Sequence, residues 1–295
     1  MMKGPTKIVA VVRKTNGELT EKDFSEGTSR FSKVKKIPIV RGVFALVESF
    51  SLGYKTLDYS AEVSTEGLEA EAESKLDKWI NEKFGDKLLK FLMPIAAVLG
   101  VGLAVLLFFW FPAFLFSIIP GLSTANMSGI WRSVFEGIFR LILLVAYMAL
   151  ISLIPDIKRV FQYHGAEHKT IFCYESGEEL TVENVRKQSR FHPRCGTSFI
   201  ILMVLIGILL GFFITTPNAL IRMAIRLIML PLTCGIGYEI IKLCGKYDNI
   251  LTCIIAKPGL WVQRITTKEP EDGMIEVAIA ALEKVIPEQG EDILK

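Results

Sequence analysis

Four long apolar stretches predict membrane-spanning helices. They cover residues 88–111, 134–154, 197–214 and 219–243, and each is close to the roughly 20 residues with which a helix crosses a bilayer. A break is expected near Pro112, because proline removes a helical hydrogen bond and clashes with the preceding turn. Within the second stretch, Glu136 and Arg140 have the i,i+4 spacing of a helical ion pair and are expected to contact each other.

The fourth apolar stretch is the richest in ionisable residues, among them Arg222, Arg226 and Glu239. Ionisable side chains are costly in lipid, so this helix is expected to face other protein or a polar cavity. A transporter with these three side chains along a polar path is one hypothesis. The sequence shows no internal repeat of the kind found in many transporters, which weighs against it.

Shorter patterns fill the rest of the chain. Residues 7–13 are rich in β-branched residues and precede Asn16-Gly17, which is typical of a β-hairpin. Residues 38–60 are apolar but interrupted by charges, which favours an interfacial amphipathic helix or a re-entrant segment over a span. The tail is expected to turn at Pro258-Gly259 and to form an amphipathic helix over about residues 274–285.

These patterns predict a mainly α, polytopic membrane protein with about four transmembrane helices, a small N-terminal β-hairpin and a C-terminal helix. The expected organisation is as follows: an N-terminal hairpin and basic segment over 1–37, an interfacial or re-entrant segment over 38–60, a charged linker helix over 61–87, two transmembrane helices over 88–154, a loop rich in His and Cys over 155–196, two more transmembrane helices over 197–243, and a tail over 244–295.

Composition agrees with this class. Hydrophobic residues make up 51% of the chain and the mean hydropathy is +0.41, which is too apolar for an ordinary soluble protein. The net charge of +3 gives no reason to expect a nucleic-acid partner. Five cysteines are an odd number and do not suggest the disulfide framework of a secreted domain. The N-terminus lacks the apolar core of a signal peptide, so the internal spans would direct insertion.

Basic residues indicate the topology. They are frequent in the N-terminal region, in the loop between the second and third spans and after the fourth span, whereas segments 112–133 and 215–218 contain only Arg132. By the positive-inside rule, both termini and the loop rich in His and Cys are expected to be cytoplasmic.

That loop contains all three histidines of the protein, His164, His168 and His192, with Cys195 close to the last of them. His164 and His168 are spaced so that a helix places both imidazoles on one face. With Glu167 they form the HxxEH pattern of inverted zincins, in which the histidines bind zinc and the glutamate acts as general base. The loop therefore predicts a metal site, with zinc the suspected ion and His192 or Cys195 as a further ligand.

Two versions of the metal site stay open. If His164, His168, His192 and Cys195 all bind, the shell is closed and the metal is structural. If only three groups bind, a fourth position is open and catalysis is feasible. Glu239 is a further candidate, as a ligand, a base or an outer-shell partner of an imidazole. The alternative is an ion pair with Lys242, Arg222 or Arg226.

The chain resembles the YqhQ-like family of bacterial membrane proteins. The resemblance rests on MMKGP, IPIVRGVFALVESFSLGYKTLDYSAE, YHGAEHKTIFCYESGEELTVENVR, FHPRCGTSF, LPLTCGIGYEIIK and PGLWVQRITTKEP. It implies a multi-pass protein of the bacterial inner membrane and a metal-dependent enzyme of unsettled activity. Family members carry a Gly-rich apolar stretch before MMKGP, so the native start is expected upstream unless that stretch is absent here.

Two further hypotheses compete with the transporter. The first is a metal-dependent hydrolase at the cytoplasmic membrane surface, with a membrane-proximal peptide or a lipid headgroup as substrate. The second is a non-catalytic scaffold, in which a His/Cys site staples the loop and the protein assists membrane-protein insertion or quality control. The bilayer is the expected partner in both, with other membrane proteins as partners in the second.

Overall fold

A computed structural model describes residues 1–25, 37–65, 95, 98–119, 129–193, 195–247 and 249–287. These residues are mainly helical, with one small sheet. The strands are β1 (Met2–Lys3), β2 (Ile8–Arg13) and β3 (Leu19–Asp23). The helices are α1 (Val40–Thr65), α2 (Val98–Ile118), α3 (Gly129–Ile151), α4 (Pro155–Glu175), α5 (Val182–Lys187), α6 (Gly196–Gly211), α7 (Ala219–Ile228), α8 (Leu230–Lys246), α9 (Ile250–Thr266) and α10 (Asp272–Glu283).

The predicted N-terminal hairpin is confirmed. Strands β2 and β3 pair antiparallel, with Val9 opposite Asp23 and Arg13 opposite Leu19. Gly17 lies in the connecting turn with φ +88°, a conformation that side chains disfavour and glycine adopts freely. The sequence did not indicate β1, a two-residue strand that pairs with the other edge of β2.

The sheet belongs to a larger unit that also contains α4, α5 and α10, here called the sheet–helix domain. Strand β2 is buried along five of its six residues, which a hairpin lying free at a membrane surface would not be. Helix α10 confirms the amphipathic tail helix predicted over about residues 274–285. The domain has one continuous apolar core, whose buried members include Met2, Val9, Val11, Ala166, Cys173, Val185, Ile275, Ala278 and Leu282.

The apolar helices support membrane association. Helix α2 has 21 residues and α3 has 23, which is enough to cross a bilayer. Helices α7 and α8 meet at an angle of 49° and together reach the length of one span, because Pro231 lies at the start of α8 and interrupts the helix there. Helix α6 has only 16 residues. In the part of the chain that the structure describes, two helices are long and apolar enough to cross a bilayer, or three if α7 and α8 form one span. The prediction of four spans is therefore confirmed only in part.

The expected break near Pro112 is wrong, since α2 continues through this residue to Ile118. A π-helical turn over Leu106–Trp110 directly precedes the proline. Such a turn changes the hydrogen-bond register, which lets the helix accommodate a residue that lacks an N–H group. Residues 88–94, in the predicted start of this span, lie outside the described residues.

Helix α1 runs without a break from Val40 to Thr65, so the alternative of a re-entrant turn is wrong for these residues. The helix leaves one apolar face exposed, formed by Val47, Phe50, Tyr54 and Leu57. Such a face is typical of a helix that lies in the membrane interface. The rest of the predicted charged linker, residues 66–87, lies outside the described residues.

The predicted turn at Pro258-Gly259 is also wrong, because α9 includes both residues. Gly259 allows this helix to approach α6 closely: a Cβ atom on Gly259 would lie 2.5 Å from the Cβ of Ser198. The glycine therefore serves contact between two helices and does not mark a chain reversal.

A group of charged side chains is buried between α3 and α7 and is here called the arginine cluster: Arg132, Glu136, Arg140, Arg222 and Arg226. The Glu136 side chain is fully buried and forms ion pairs with Arg132, Arg222 and Arg226. The expected pair of Glu136 and Arg140 is not formed. Arg140 donates instead to the carbonyl oxygen of Phe108, in the π-helical turn, at 2.6 Å.

Candidate metal centre

Helix α4 carries the first two candidate ligands. It begins at Pro155, whose fixed φ suits the first helical turn and whose missing N–H would have no helical partner there. His164 and His168 lie one turn apart, with ring centroids 4.4 Å from each other. The prediction that both imidazoles share one helix face is confirmed.

Cys195 completes a group of three. It is the N-cap of α6, where its Sγ accepts a hydrogen bond from the backbone N–H of Thr197 at 3.4 Å. The same Sγ lies 3.2 Å from Nε2 of His164. One potential ligand atom from each of His164, His168 and Cys195 lies within 4.8 Å of the other two. The chain thus brings together two imidazoles and one thiol, a ligand set that zinc accepts.

Backbone carbonyls orient both imidazole rings. Nδ1 of His164 lies 2.9 Å from the carbonyl oxygen of Thr266, and Nδ1 of His168 lies 2.6 Å from that of Arg190. A carbonyl oxygen can only accept, so each Nδ1 carries the proton and donates it. In the neutral rings, each Nε2 then keeps its lone pair. This is the outer-shell arrangement that metal-binding histidines commonly show.

Electrostatics favour an ionised Cys195. Burial disfavours the thiolate, but hydrogen bonds from His164 and His168, and the charges of these rings, outweigh burial and lower the pKa of Cys195 to about 5. Burial also disfavours the His164 imidazolium, yet its contact with Cys195 outweighs this and raises the pKa of His164 to about 9. The N-terminus of α6 adds a partial positive charge beside the sulfur. Without metal, the two groups form a thiolate–imidazolium pair near neutral pH.

This pair leads to a testable pH dependence. In metal-free protein, the pKa values place the charged pair between about pH 5, below which Cys195 takes up a proton, and about pH 9, above which His164 loses one. In a variant with Cys244 and Cys253 replaced by serine, alkylation of Cys195 by iodoacetamide should reach half its maximal rate near pH 5. His164→Ala should shift that midpoint upwards, because it removes the largest stabilising contact of the thiolate. Equal midpoints in the two proteins would contradict the pairing.

His192 lies next to this group but outside it. Thr181 caps α5 by accepting a hydrogen bond from Asn184 N–H at 3.3 Å. The chain after α5 then places the His192 ring 5.7 Å from the His168 ring. Nε2 of His192 lies 3.5 Å from Oε2 of Glu175. The structure therefore brings three of the four predicted ligands together and places His192 beside them.

Glu167 lies on the same turn of α4 and is partly exposed. Its Oε1 lies 2.5 Å from the amino nitrogen of Met1, and its charge contributes to the raised pKa of His164. Gly165, the first variable position of the HxxEH pattern, packs against the chain that follows α9. A Cβ atom there would lie 2.1 Å from the carbonyl oxygen of Lys268. Glycine at this position therefore lets α4 approach the segment after α9. That segment adjoins Thr266, whose carbonyl orients His164.

The remaining candidates lie elsewhere. The Glu239 carboxylate binds the Arg41 guanidinium of α1 through both oxygens and accepts from Ile39 N–H. Glu239 therefore forms an ion pair, but its partner is Arg41 and not the predicted Lys242, Arg222 or Arg226. Its hydrogen bonds among the described residues do not reach the His/Cys group. Arg222 and Arg226 pair with Glu136 in the arginine cluster, whereas Glu239 pairs with Arg41. These contacts do not join the three side chains, and the transporter hypothesis stays a prediction.

Sequence reasoning missed Gln263 of α9. Its side chain is fully buried, accepts from His192 N–H at 2.8 Å and donates to the His192 carbonyl at 2.7 Å. It also donates to Ser198 Oγ at 3.0 Å. These bonds fix the turn between His192 and α6, and hence Cys195. The available signal was a single amide on the apolar side of an amphipathic segment.

Apolar helices joined to a domain with two histidines and one cysteine in contact define a membrane-associated helical protein with a candidate metal centre. The family model described as "Protein of unknown function (DUF1385)" matches residues 37–288. The chain therefore belongs to the DUF1385 family. It is 36% identical over 302 residues to a Bacillus subtilis (strain 168) protein named "Uncharacterized protein YqhQ", covering 97% of this chain and 89% of that protein. This confirms the YqhQ-like resemblance. No solved structure matches the chain.

Proposed function

We propose that His164, His168 and Cys195 hold a zinc ion and that the protein is a metal-dependent hydrolase at the cytoplasmic surface of the bacterial inner membrane. The observation that carries the proposal is the orientation of the rings. Both Nδ1 atoms lie against backbone carbonyls, which leaves the Nε2 atoms for a shared ligand beside Cys195 Sγ. Histidines that bind metals commonly donate their other ring N–H to such a carbonyl, which orients the ring.

Three protein ligands favour a catalytic over a closed site, because a tetrahedral zinc ion would keep one position for water or substrate. A bound zinc ion would act as a Lewis acid and lower the pKa of a coordinated water towards neutrality. Glu167 is the general base of the proposal: it is partly exposed, and its negative charge acts on His164. It would accept the proton of the attacking water and pass it to the leaving group.

The proposed topology places the sheet–helix domain in the cytoplasm. This domain joins residues from the N-terminal strands, α4 and the tail helix in one core, so these three regions lie on one side of the bilayer. Basic residues are frequent on α4 and α5, among them Lys158, Arg159 and Arg186, which favours the cytoplasmic side. The substrate would then be a peptide near the membrane or a lipid headgroup.

The test compares zinc-loaded full-length wild type with Glu167→Gln and Cys195→Ala, on fluorogenic peptides and phospholipids in mild detergent. Glu167→Gln should keep its zinc and lose roughly 100-fold or more in rate, since a general base contributes about 10²–10⁴-fold. Cys195→Ala should lose both zinc and activity. Glu239→Gln is the matched control and should keep both. Equal rates in wild type and Glu167→Gln would remove the assigned base.

The scaffold hypothesis is the second candidate, and one observation favours it. The group connects three parts of the chain, because its side chains come from α4 and the start of α6 and its carbonyl partners include Thr266 at the end of α9. A metal there would hold these elements together without catalysis. Zinc binding by wild type with no hydrolysis in the test above, together with unfolding on chelation, would favour this candidate.

A further inference from the structure

The arginine cluster contains more positive than negative charge. Helices α2, α3, α6 and α7 are fully described, and Glu136 is their only carboxylate. It faces four arginines: Arg132, Arg140, Arg222 and Arg226. One carboxylate cannot neutralise four guanidinium groups, which stay protonated in proteins. Buried positive charge in a membrane-associated bundle is expensive and usually marks a functional site.

Three of these arginines have unused donors. Arg132 has one such atom, Nη2, and the others belong to Arg140 and Arg226. Arg140 and Arg226 are 7% and 6% exposed. Nη2 of Arg140 and both Nε and Nη1 of Arg226 have no hydrogen-bond partner among the described residues. Buried donors without partners cost free energy, more so when they are charged. A bound anion would supply the missing acceptors.

Arg140 and Arg226 line a cavity of about 350 Å³, within the range of roughly 300–1,000 Å³ typical of ligand sites. The other lining side chains are mainly apolar, among them Phe108, Phe109 and Met203. Val101, Ile200 and Leu230 also line it and are exposed on the apolar helices. The cavity therefore combines an apolar wall that reaches the membrane-facing surface with two inward cations. This lining suits an amphiphile with an anionic head better than it suits a small anion or a neutral lipid.

We propose that this cavity binds one anionic membrane lipid, with the phosphate on Arg140 and Arg226 and part of an acyl chain along the apolar wall. The π-helical turn of α2 supports the arrangement. It presents the Phe108 carbonyl to Nε of Arg140, which holds the guanidinium in place and leaves Nη2 for the ligand. The proposal is independent of the His/Cys cluster and of any hydrolytic activity.

Gly207 offers a test that leaves the arginines intact. It lines the cavity, and a Cβ atom there would meet no atom within 4 Å. Gly207→Leu should therefore fill the cavity without a backbone clash. Gly102 also has open space around its Cβ position but does not line the cavity. Gly102→Leu is the matched control.

The experiment is native mass spectrometry of the full chain in dodecyl maltoside, titrated with phosphatidylglycerol, with zwitterionic phosphatidylcholine, or with inorganic phosphate. Wild type and Gly102→Leu should retain one phosphatidylglycerol and prefer it over phosphatidylcholine. Gly207→Leu should bind phosphatidylglycerol at least about tenfold more weakly than the wild type does. In Arg140→Gln, the preference for phosphatidylglycerol over phosphatidylcholine should fall roughly tenfold, as expected for one charge-assisted hydrogen bond. Equal retention of both lipids, unchanged binding in Gly207→Leu, or binding of inorganic phosphate alone would each overturn the proposal.

Discussion

Replacing Gly165 with alanine is expected to destabilise the protein by about 3 kcal/mol, at the upper end of typical overpacking costs. The added Cβ would lie 2.1 Å from the carbonyl oxygen of Lys268, and backbone on both sides must move to relieve the clash. That movement would break the hydrogen bond from Lys268 N–H to the Phe161 carbonyl, 2.9 Å long. It would also shift Thr266, whose carbonyl orients His164.

Two quantities are measured in mild detergent: the thermal unfolding midpoint and the affinity for zinc. Zinc affinity should fall roughly 10- to 100-fold, as for the loss of other outer-shell partners. Gly196→Ala is the matched control, since a Cβ there meets no atom within 4 Å and alanine favours a helix over glycine. If Gly165→Ala behaves like Gly196→Ala, the close approach of α4 to the chain after α9 is wrong.

Glu136→Gln is expected to have the second large effect, a loss of about 3–5 kcal/mol, the usual range for breaking a buried ion pair. The glutamine would leave Arg222 and Arg226, both nearly fully buried, without their counter-charge. A neutral amide also accepts weaker hydrogen bonds from guanidinium groups than a carboxylate does.

The matched control for this change is Glu276→Gln. Glu276 pairs with Arg13, but its side chain is 51% exposed, and exposed pairs contribute little. The thermal unfolding midpoint should fall clearly for Glu136→Gln and hardly for Glu276→Gln. Similar small shifts in both variants would contradict the burial of the arginine cluster.

The hydrophobic pattern predicted the helical class and the N-terminal hairpin, because both depend on local periodicity and turn residues. It predicted the four spans only in part. Helix α6 is shorter than its apolar stretch suggested, and Pro231 divides the last stretch. Proline effects were misjudged at Pro112 and Pro258: a π-helical turn directly precedes Pro112, and α9 continues through Pro258. The Phe108 carbonyl in that π-helical turn accepts from Arg140, a residue distant in sequence.

The candidate site was predictable where ligands are close along the chain. The spacing of His164 and His168 fixed their shared face, and the proximity of Cys195 suggested the third group. The carbonyl partners, the role of Gln263 and the exclusion of His192 from the group of three were not predictable, because they depend on how α9 packs against α4 and α6. Glu239 was assigned by its place in an apolar helix, while its actual partner Arg41 is nearly 200 residues away in sequence.

The most direct test of the central claim is the metal content of the purified wild type, measured by elemental mass spectrometry beside His164→Ala/His168→Ala and His192→Ala. The proposed centre predicts near-stoichiometric zinc in the wild type, none in the double variant, and retention in His192→Ala, whose ring lies outside the group of three. No metal in the wild type after purification without chelators and incubation with zinc, or equal zinc in the wild type and the double variant, would contradict the metal centre.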